Sequence, residues 1–278
     1  MGQKPREATM EFEAIDYRVE HSIAHLTLSR PARTNALNSR MLEEINLAMD
    51  LSEADVGVRA VVVMGTGAAF SSGFDLKEQM ERRPTGFDQW KSILRKDFDA
   101  VMRFWHCPKP TIAAVRGPCL AGAFELSLAC DITIASETAF FGEPELKFGA
   151  GIVVMLLPWL VGPKIAKEII FLGEDRLSAE RARELGIVNR IVPDDTLEAK
   201  ATTIARHLSA IDPNLVKRTK QAINQSLERQ GLLDALEAAL AIDLEIEGAG
   251  SPDKIAFMDI ARAGGLRAAL AWRDARFP

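Results

Sequence analysis

The chain has 278 residues, 26% of them charged and 47% hydrophobic, with a net charge of −5. It is long enough to bury a large core, is too acidic overall to favour a nucleic-acid partner, and holds no apolar run of membrane-spanning length. Its three cysteines, Cys107, Cys119 and Cys130, are odd in number and sit in or beside apolar stretches, which predicts buried reduced thiols and a cytoplasmic setting. The polar first ten residues carry no hydrophobic segment of the kind a secretion signal needs.

Tyr17 to Leu28 alternates around Val19, Ile23, Leu26 and Leu28, as an edge hairpin does. His21 and His25 fall four apart within it, a spacing that puts both on one strand face, but no third ligand stands nearby and no metal site is expected. Arg30 to Ser39 is a turn-rich connection into a helix capped at Asn38 or Ser39, with Met41, Leu42, Ile45, Ala48 and Met49 on its apolar face. Arg30 and Arg33 read either as phosphate partners or as solvated loop residues. Ala60 to Met64 is β-branched without alternation, the pattern of a central buried strand. The glycine-containing stretch Gly65 to Lys77 lacks the third glycine of a dinucleotide fingerprint, the P-loop lysine and the G-x-S-x-G elbow. What it offers is a turn exposing backbone N–H groups around Gly73 and Phe74. Residues 79–90, with Pro84 and Gly86, predict a mobile loop, and a helix follows from about Asp88 to Trp105.

The next stretch concentrates the chemistry. Thr111 to Val115 reads as a buried strand ended by Arg116-Gly117-Pro118. The helix expected from Leu120 to Cys130 is apolar all round with Glu125 as its only charge, so Glu125 is expected where its ionised form is costly. Gly122 stands at the start of that helix, where unpaired N–H groups favour an anion and a glycine admits close approach to the backbone. A second carboxylate, Glu145, follows the strand-like Ile132 to Ala135 and the pair Phe140-Phe141. Two carboxylates around one water can divide acid and base work. Taken singly, Glu125 reads more often as a first-turn dipole or capping partner, and Glu145, after a proline, more often as a surface turn residue.

Ile152 to Val161 is apolar and of helical length, and a further helix runs from Lys164 to Leu172. Ser178 caps a helix to Leu185 with Glu180 in its first turn, and the strands end with Ile187 to Val192. From Asp195 onward the chain reads as helix: Leu197 to Leu208, Asn214 to Leu227, and Leu232 to Ile246 with a stripe of Leu233, Leu236, Leu240 and Leu244. The tail from Asp253 to Phe277 needs a surface to bury its apolar face, on its own core or on another subunit, and an oligomer is favoured. The alternation of strands and helices argues for right-handed parallel crossovers.

Three blocks, R-P-A-R-T-N-A-L-N (30–38), F-S-S-G-F-D-L-K (70–77) and A-A-V-R-G-P-C-L-A-G-A-F-E-L-S-L-A-C-D (113–131) continued by F-G-E-P-E-L (141–146), together resemble the crotonase, or enoyl-CoA hydratase/isomerase, superfamily. The resemblance implies an α/β fold, a spiral of ββα repeats over residues 11–194 followed by a C-terminal helical region over residues 195–278 that covers the active site and serves oligomerisation. It implies an acyl-CoA substrate, a trimer or a dimer of trimers, and no cofactor or metal, coenzyme A being part of the substrate. On the matching positions, the oxyanion donors are the backbone N–H groups of Phe74 and Gly122, and Glu125 and Glu145 hold the water. Arg33, Ala36 and Leu37, with Asp75, Leu76 and Lys77, line the path of the substrate's coenzyme A. The implied reaction is syn addition of water to a 2-enoyl-CoA, with an isomerase, a thioester hydrolase or a non-catalytic acyl-CoA binder as the alternatives. The chain departs from the family's usual pattern in Phe74, where a small residue is common, in Ala121 and Ala123 flanking Gly122, and in F-G-A-G-I-V-V-M-L-L-P (148–158), which reshapes the acyl pocket.

Overall fold

Short β-branched runs set the inner strands of the larger of two sheets. In the computed structural model, which describes residues 12–277, β1 (Ile15–Glu20) and β2 (Ile23–Leu28) form an antiparallel hairpin. β2 then pairs in parallel with β3 (Ala60–Gly65), and the parallel order continues through β4 (Thr111–Val115). After β5 (Pro118–Leu120) come β6 (Ile132–Ser136), β7 (Phe140–Gly142), β8 (Leu177–Ser178) and β9 (Arg190–Val192). The six-stranded sheet has the order β1-β2-β3-β4-β6-β9, and β5-β7-β8 make a second sheet of three strands. The polar first ten residues lie outside the described residues.

The helices are α1 (Ser39–Ala54), α2 (Leu76–Arg82), α3 (Gly86–His106), α4 (Gly122–Ala129), α5 (Leu157–Val161), α6 (Pro163–Phe171), α7 (Ala179–Glu184), α8 (Leu197–Ser209), α9 (Pro213–Glu228), α10 (Leu232–Ala249), α11 (Pro252–Gly264) and α12 (Leu266–Asp274). β3 lacks alternation because both its faces are covered. Val61 and Val63 join the core built with α1, α3 and α4, while Ala60 and Val62 meet Leu197, Ala201 and Ala205 of α8 on the other face. The first helix beyond residue 195 is therefore a layer of the sheet. α10 packs along α3, and its buried stripe runs Leu232, Leu236, Leu240, Asp243 and Glu247 rather than through Leu233 and Leu244. The tail finds its cover within its own chain: Phe257, Met258, Ala261 and Ala269 of α11 and α12 pack on Phe148, against Leu76 and Met80. Among the described residues no helix is long and apolar enough to cross a membrane, and all three cysteines are free thiols.

Four local expectations need correction. Residues 79–90 are mostly helical, because Asp75 caps α2 by accepting from the N–H groups of Lys77 and Glu78; Arg83, at φ 50°, ends it, and α3 begins at Gly86. Ile152 to Leu156 is irregular, so only Leu157–Val161 of that run is helical, the Val153 N–H being drawn to a side chain. His21 sits in the hairpin turn at φ 51° and is exposed, whereas His25 is buried on β2, so the two do not share a strand face. Arg30 is tied into the fold rather than freely solvated: its Nη1 donates to the Ala36 carbonyl and to Asp75.

Candidate active site

Two loops that carry free N–H groups are pressed together at one end of the small sheet. Leu37 bridges Phe74, donating to the Gly73 carbonyl at 2.8 Å and accepting from the Asp75 N–H at 3.0 Å. In a parallel bridge this turns the Phe74 N–H to the opposite side. That side faces the β5–α4 junction, where Ser71 bridges Cys119 and Leu120 donates to the Ser71 carbonyl. Gly73 has φ 88°, and a Cβ there would lie 2.5 Å from the Ala121 Cβ and 3.2 Å from the Gly122 nitrogen, so only glycine fits. Ala121, at φ 57° and ψ −138°, holds a strained conformation, fixed by its N–H donating to the Gly142 carbonyl at 2.8 Å and by its own carbonyl accepting from Phe124 and Glu125. Gly122 then begins α4 with a first-turn N–H that has no intrahelical acceptor. Among the described residues neither the Phe74 nor the Gly122 N–H is engaged by a carbonyl. Gly122 is glycine for a reason the sequence did not reveal: the Phe74 ring fills the space a Cβ would take, at 2.2 Å.

Glu125 lies one turn into α4 and is 1% exposed. Its Oε1 accepts from the Val153 N–H at 3.1 Å, and its Oε2 has no partner. Glu145 opens the short 3-10 turn Glu145–Phe148 and also leaves Oε2 unpartnered and buried. The two are joined by a third acid not assigned from sequence. Glu143 is fully buried with both oxygens unpartnered, and one carboxyl oxygen from each of Glu125, Glu143 and Glu145 lies within 4.8 Å of the others. Burial raises the Glu125 pKa well above the usual carboxylate range and the neighbouring Glu145 pushes it the same way, while the Val154 and Val153 N–H groups pull it down. Glu143 is raised by burial and by Glu145 and Glu125, and burial pushes Glu145 up to about 8. Three carboxyls this close cannot all ionise. They are the group of acids among the described residues close enough to clasp a cation, yet each is displaced toward its protonated form, which is not the form that ligates one.

Phe74, Ala121 and Glu145 line one cavity of about 480 Å³, and Gly122, Glu125 and Glu143 lie behind that lining. Arg33, Ala36, Phe74, Asp75, Leu76 and Lys77 line the cavity. Leu37 does not: it is a core residue, and acts through the backbone bridge to Phe74. The Asp75 side chain is spent on capping α2 and on Arg30. Arg176 and Arg273 add cationic groups to the cavity wall, and Asp97, Asp243, Glu247 and Lys254 bring polar groups from α3, α10 and α11. None of these six was assigned from sequence, and only the acidic residues continuing the leucine stripe of α10 gave a signal.

A sequence profile described as enoyl-CoA hydratase/isomerase matches residues 18–245. The short-chain-enoyl-CoA hydratase of Clostridium acetobutylicum is 34% identical over 245 residues, 86% of this chain and 90% of that one. The crystal structure of an enoyl-CoA hydratase/isomerase from Xanthobacter autotrophicus Py2 is 71% identical, covers 96% of this chain and 100% of its own, and superposes with a TM-score of 0.96. An enoyl-CoA hydratase from Mycobacterium avium subsp. paratuberculosis K-10 is 27% identical, with 90% and 99% coverage and a TM-score of 0.77. With the three motif blocks folded into one site and both sequence and structure matched over most of their length, the chain belongs to the enoyl-CoA hydratase/isomerase family.

Proposed function

We propose that this protein adds water across the double bond of a 2-enoyl-CoA thioester. The observation that carries the reading is the pair of buried glutamates, Glu125 and Glu145, each with a free oxygen, beside two free backbone N–H donors at Phe74 and Gly122. The thioester carbonyl oxygen takes both donors, which bind it more strongly as it becomes an enolate. Of three acids that cannot all hold charge, Glu125 is the one ionised for the reaction, its charge favoured by the Val153 and Val154 N–H groups, and it accepts a proton from water as the water oxygen bonds to the β-carbon. Glu145, whose pKa near 8 keeps it protonated at neutral pH, delivers a proton to the α-carbon. The proton lost and the proton gained balance, and the carboxyls titrate as a coupled set rather than singly. An isomerase would shift a proton between carbons of the substrate and has use for one such acid; two equally buried acids favour hydration.

Arg33 and Lys77 at the cavity edge, joined by Arg176, suit the phosphates of coenzyme A. Hydration is redox-neutral, and the proposed steps call on no group beyond the substrate and these residues. The family resemblance adds the expectation of a trimer or dimer of trimers, and the free thiols that of a cytoplasmic protein. The test is loss of the conjugated thioester absorbance of crotonyl-CoA and longer 2-enoyl-CoAs, with a 3-enoyl-CoA in parallel and Glu125→Gln and Glu145→Gln as controls. Hydration abolished by either change supports the reading. Turnover of the 3-enoyl substrate alone, or release of free thiol, replaces it with an isomerase or a hydrolase.

A further inference from the structure

The acyl end of the cavity has apolar walls and a polar floor. Trp90, Leu94 and Val153 form walls on which an alkyl or alkenyl chain would pack. Beyond them stands Asp243 of α10, which is 1% exposed and has no partner for either carboxyl oxygen. A Cβ on Gly151 would lie 1.9 Å from its Oδ1, so Asp243 lies directly over the segment whose Val153 N–H holds Glu125. Its neighbours do not satisfy it. The Lys254 ammonium is bonded to Glu247 and lies 4.3 Å from the Trp90 ring centroid, and Glu247 accepts from the Gly151 N–H at 3.3 Å. Asp97 of α3 faces the same space and adds a further acid. Leaving a buried acceptor unpaired costs about 1–3 kcal/mol, a cost that a simple hydrocarbon tail would leave in place and a donor on the substrate would remove.

We infer that the preferred substrate of this site, taken as an acyl-CoA site on the reading above, carries a hydrogen-bond donor, a hydroxyl or an ammonium, at the far end of its acyl chain, and that Asp243 receives it. The length follows from the backbone. Gly151, under Asp243, and Val153, on Glu125, are two residues apart, a span of at most about 7 Å. At most about five chain atoms therefore separate the reacting β-carbon from the donor, and six-carbon acyl groups with a terminal hydroxyl or amine, which fall within that limit, are the probes of choice. Selection arises because a pocket built to bond a donor rejects the isostere that lacks one more strongly than an apolar pocket rejects an added group.

The experiment measures binding of three saturated thioesters to the full-length protein by calorimetry: hexanoyl-CoA, 6-hydroxyhexanoyl-CoA and 6-aminohexanoyl-CoA. At least one donor-bearing analogue is expected to bind at least about tenfold tighter than hexanoyl-CoA, and the tighter of the two names the donor. Asp243→Leu is expected to bring that ratio to about one or below, and Asp243→Asn, which preserves shape, to cut it at least about threefold; the second variant decides the matter should the first not fold. Equal or tighter binding of hexanoyl-CoA by the unaltered protein overturns the inference. A donor preference that survives both substitutions overturns it as well, and a purely structural Asp243 would weaken all three ligands together without moving the ratio. Since saturated ligands need no turnover, this result stands apart from the hydration assay: a donor preference without hydration of the matching 2-enoyl-CoAs retires the hydratase reading and keeps the pocket assignment.

Discussion

Replacing Glu145 by glutamine exchanges a buried acid for an amide of nearly the same shape, and the stability change expected from it has the opposite sign to that of most core substitutions. The Glu145 carboxyl moves from an ordinary 4.5 to about 8 on folding, chiefly through burial. Between those limits the unfolded chain has released a proton that the folded protein retains, so unfolding is increasingly favoured as pH rises. The stabilisation associated with this group is complete below about pH 4.5 and gone above about pH 8. At ~1.4 kcal/mol per pH unit, the full displacement is worth on the order of 5 kcal/mol. The amide realises only part of that, because the position of the unpartnered Oε2 then holds an amide group that also needs a partner. Urea denaturation at pH 5, 7 and 9, at one fixed protomer concentration, measures the effect. The two proteins are expected to differ by less than about 1 kcal/mol at pH 5, and the Gln variant to be more stable by about 2–5 kcal/mol at pH 9, although it no longer turns over substrate. A difference that does not change with pH, or a native protein that gains stability from pH 5 to 9 relative to the variant, would refute the reasoning, since Glu145 would then be ionised in the fold and could not serve as the acid.

Glu125→Gln is expected to lower kcat by about 10²–10⁴ with little change in the affinity for a saturated acyl-CoA, measured by steady-state kinetics and calorimetry, because the base and not the binding surface is removed. Gly73→Ala drives a methyl group to 2.5 Å from the Ala121 Cβ and 2.7 Å from the Leu120 carbonyl oxygen at a φ of 88°; the donor loops must separate, and kcat is expected to fall by about 10²–10³ while both glutamates remain in place. Asp75→Ala removes the cap of α2 and the partner of Arg30 and is expected to cost about 1–3 kcal/mol in a urea titration. Phe257→Ala empties a fully buried ring site packed on Phe148, the last residue of the Glu145 turn, the two ring centroids lying 5.3 Å apart. A loss of about 3–5 kcal/mol is expected, together with a basic limb of the pH–rate profile that shifts to lower pH as water reaches Glu145.

How far the site could be read ahead depended on whether a residue's setting was local. Glu125 stood out because α4 is apolar on every side, and the helix start at Asn38, whose side chain accepts from the Met41 N–H at 3.0 Å, follows from capping chemistry alone. Pro84 and Gly86 misled, since glycine and proline mark loops in general but here occupy only the link between α2 and α3 and the first position of α3. Ile152 to Leu156 has the length and apolarity of a helix, and is pulled out of it by a bond to a side chain 28 residues earlier. No periodicity carries that information. Asp243 and Glu247 were hidden differently: they keep the spacing of the α10 stripe after Leu240 but not its hydrophobicity, so a stripe sought in leucines runs on to Leu244 and passes them by.

Glu143 shows why an acid in a surface-like turn became part of the buried cluster. The Gly142 carbonyl accepts from the Ala121 N–H on one side, and the Glu143 N–H donates to the Glu174 carbonyl at 2.8 Å on the other. A Cβ on Gly142 would meet that same Glu174 oxygen at 2.1 Å, so the strand end is pressed between the start of α4 and the link before β8. The clamp that fixes the strained Ala121, and with it the Gly122 donor, therefore also fixes the backbone from which Glu143 and, past Pro144, Glu145 project. Donor geometry and carboxyl burial are thus two results of one backbone contact. α11 completes the enclosure by packing Phe257 on Phe148 and by donating the Ser251 hydroxyl to the Gly149 carbonyl at 2.7 Å. Removing water from Glu145 is what raises its pKa into the range where it can hold a proton at neutral pH. In the proposed mechanism, α11 contributes through this desolvation of Glu145.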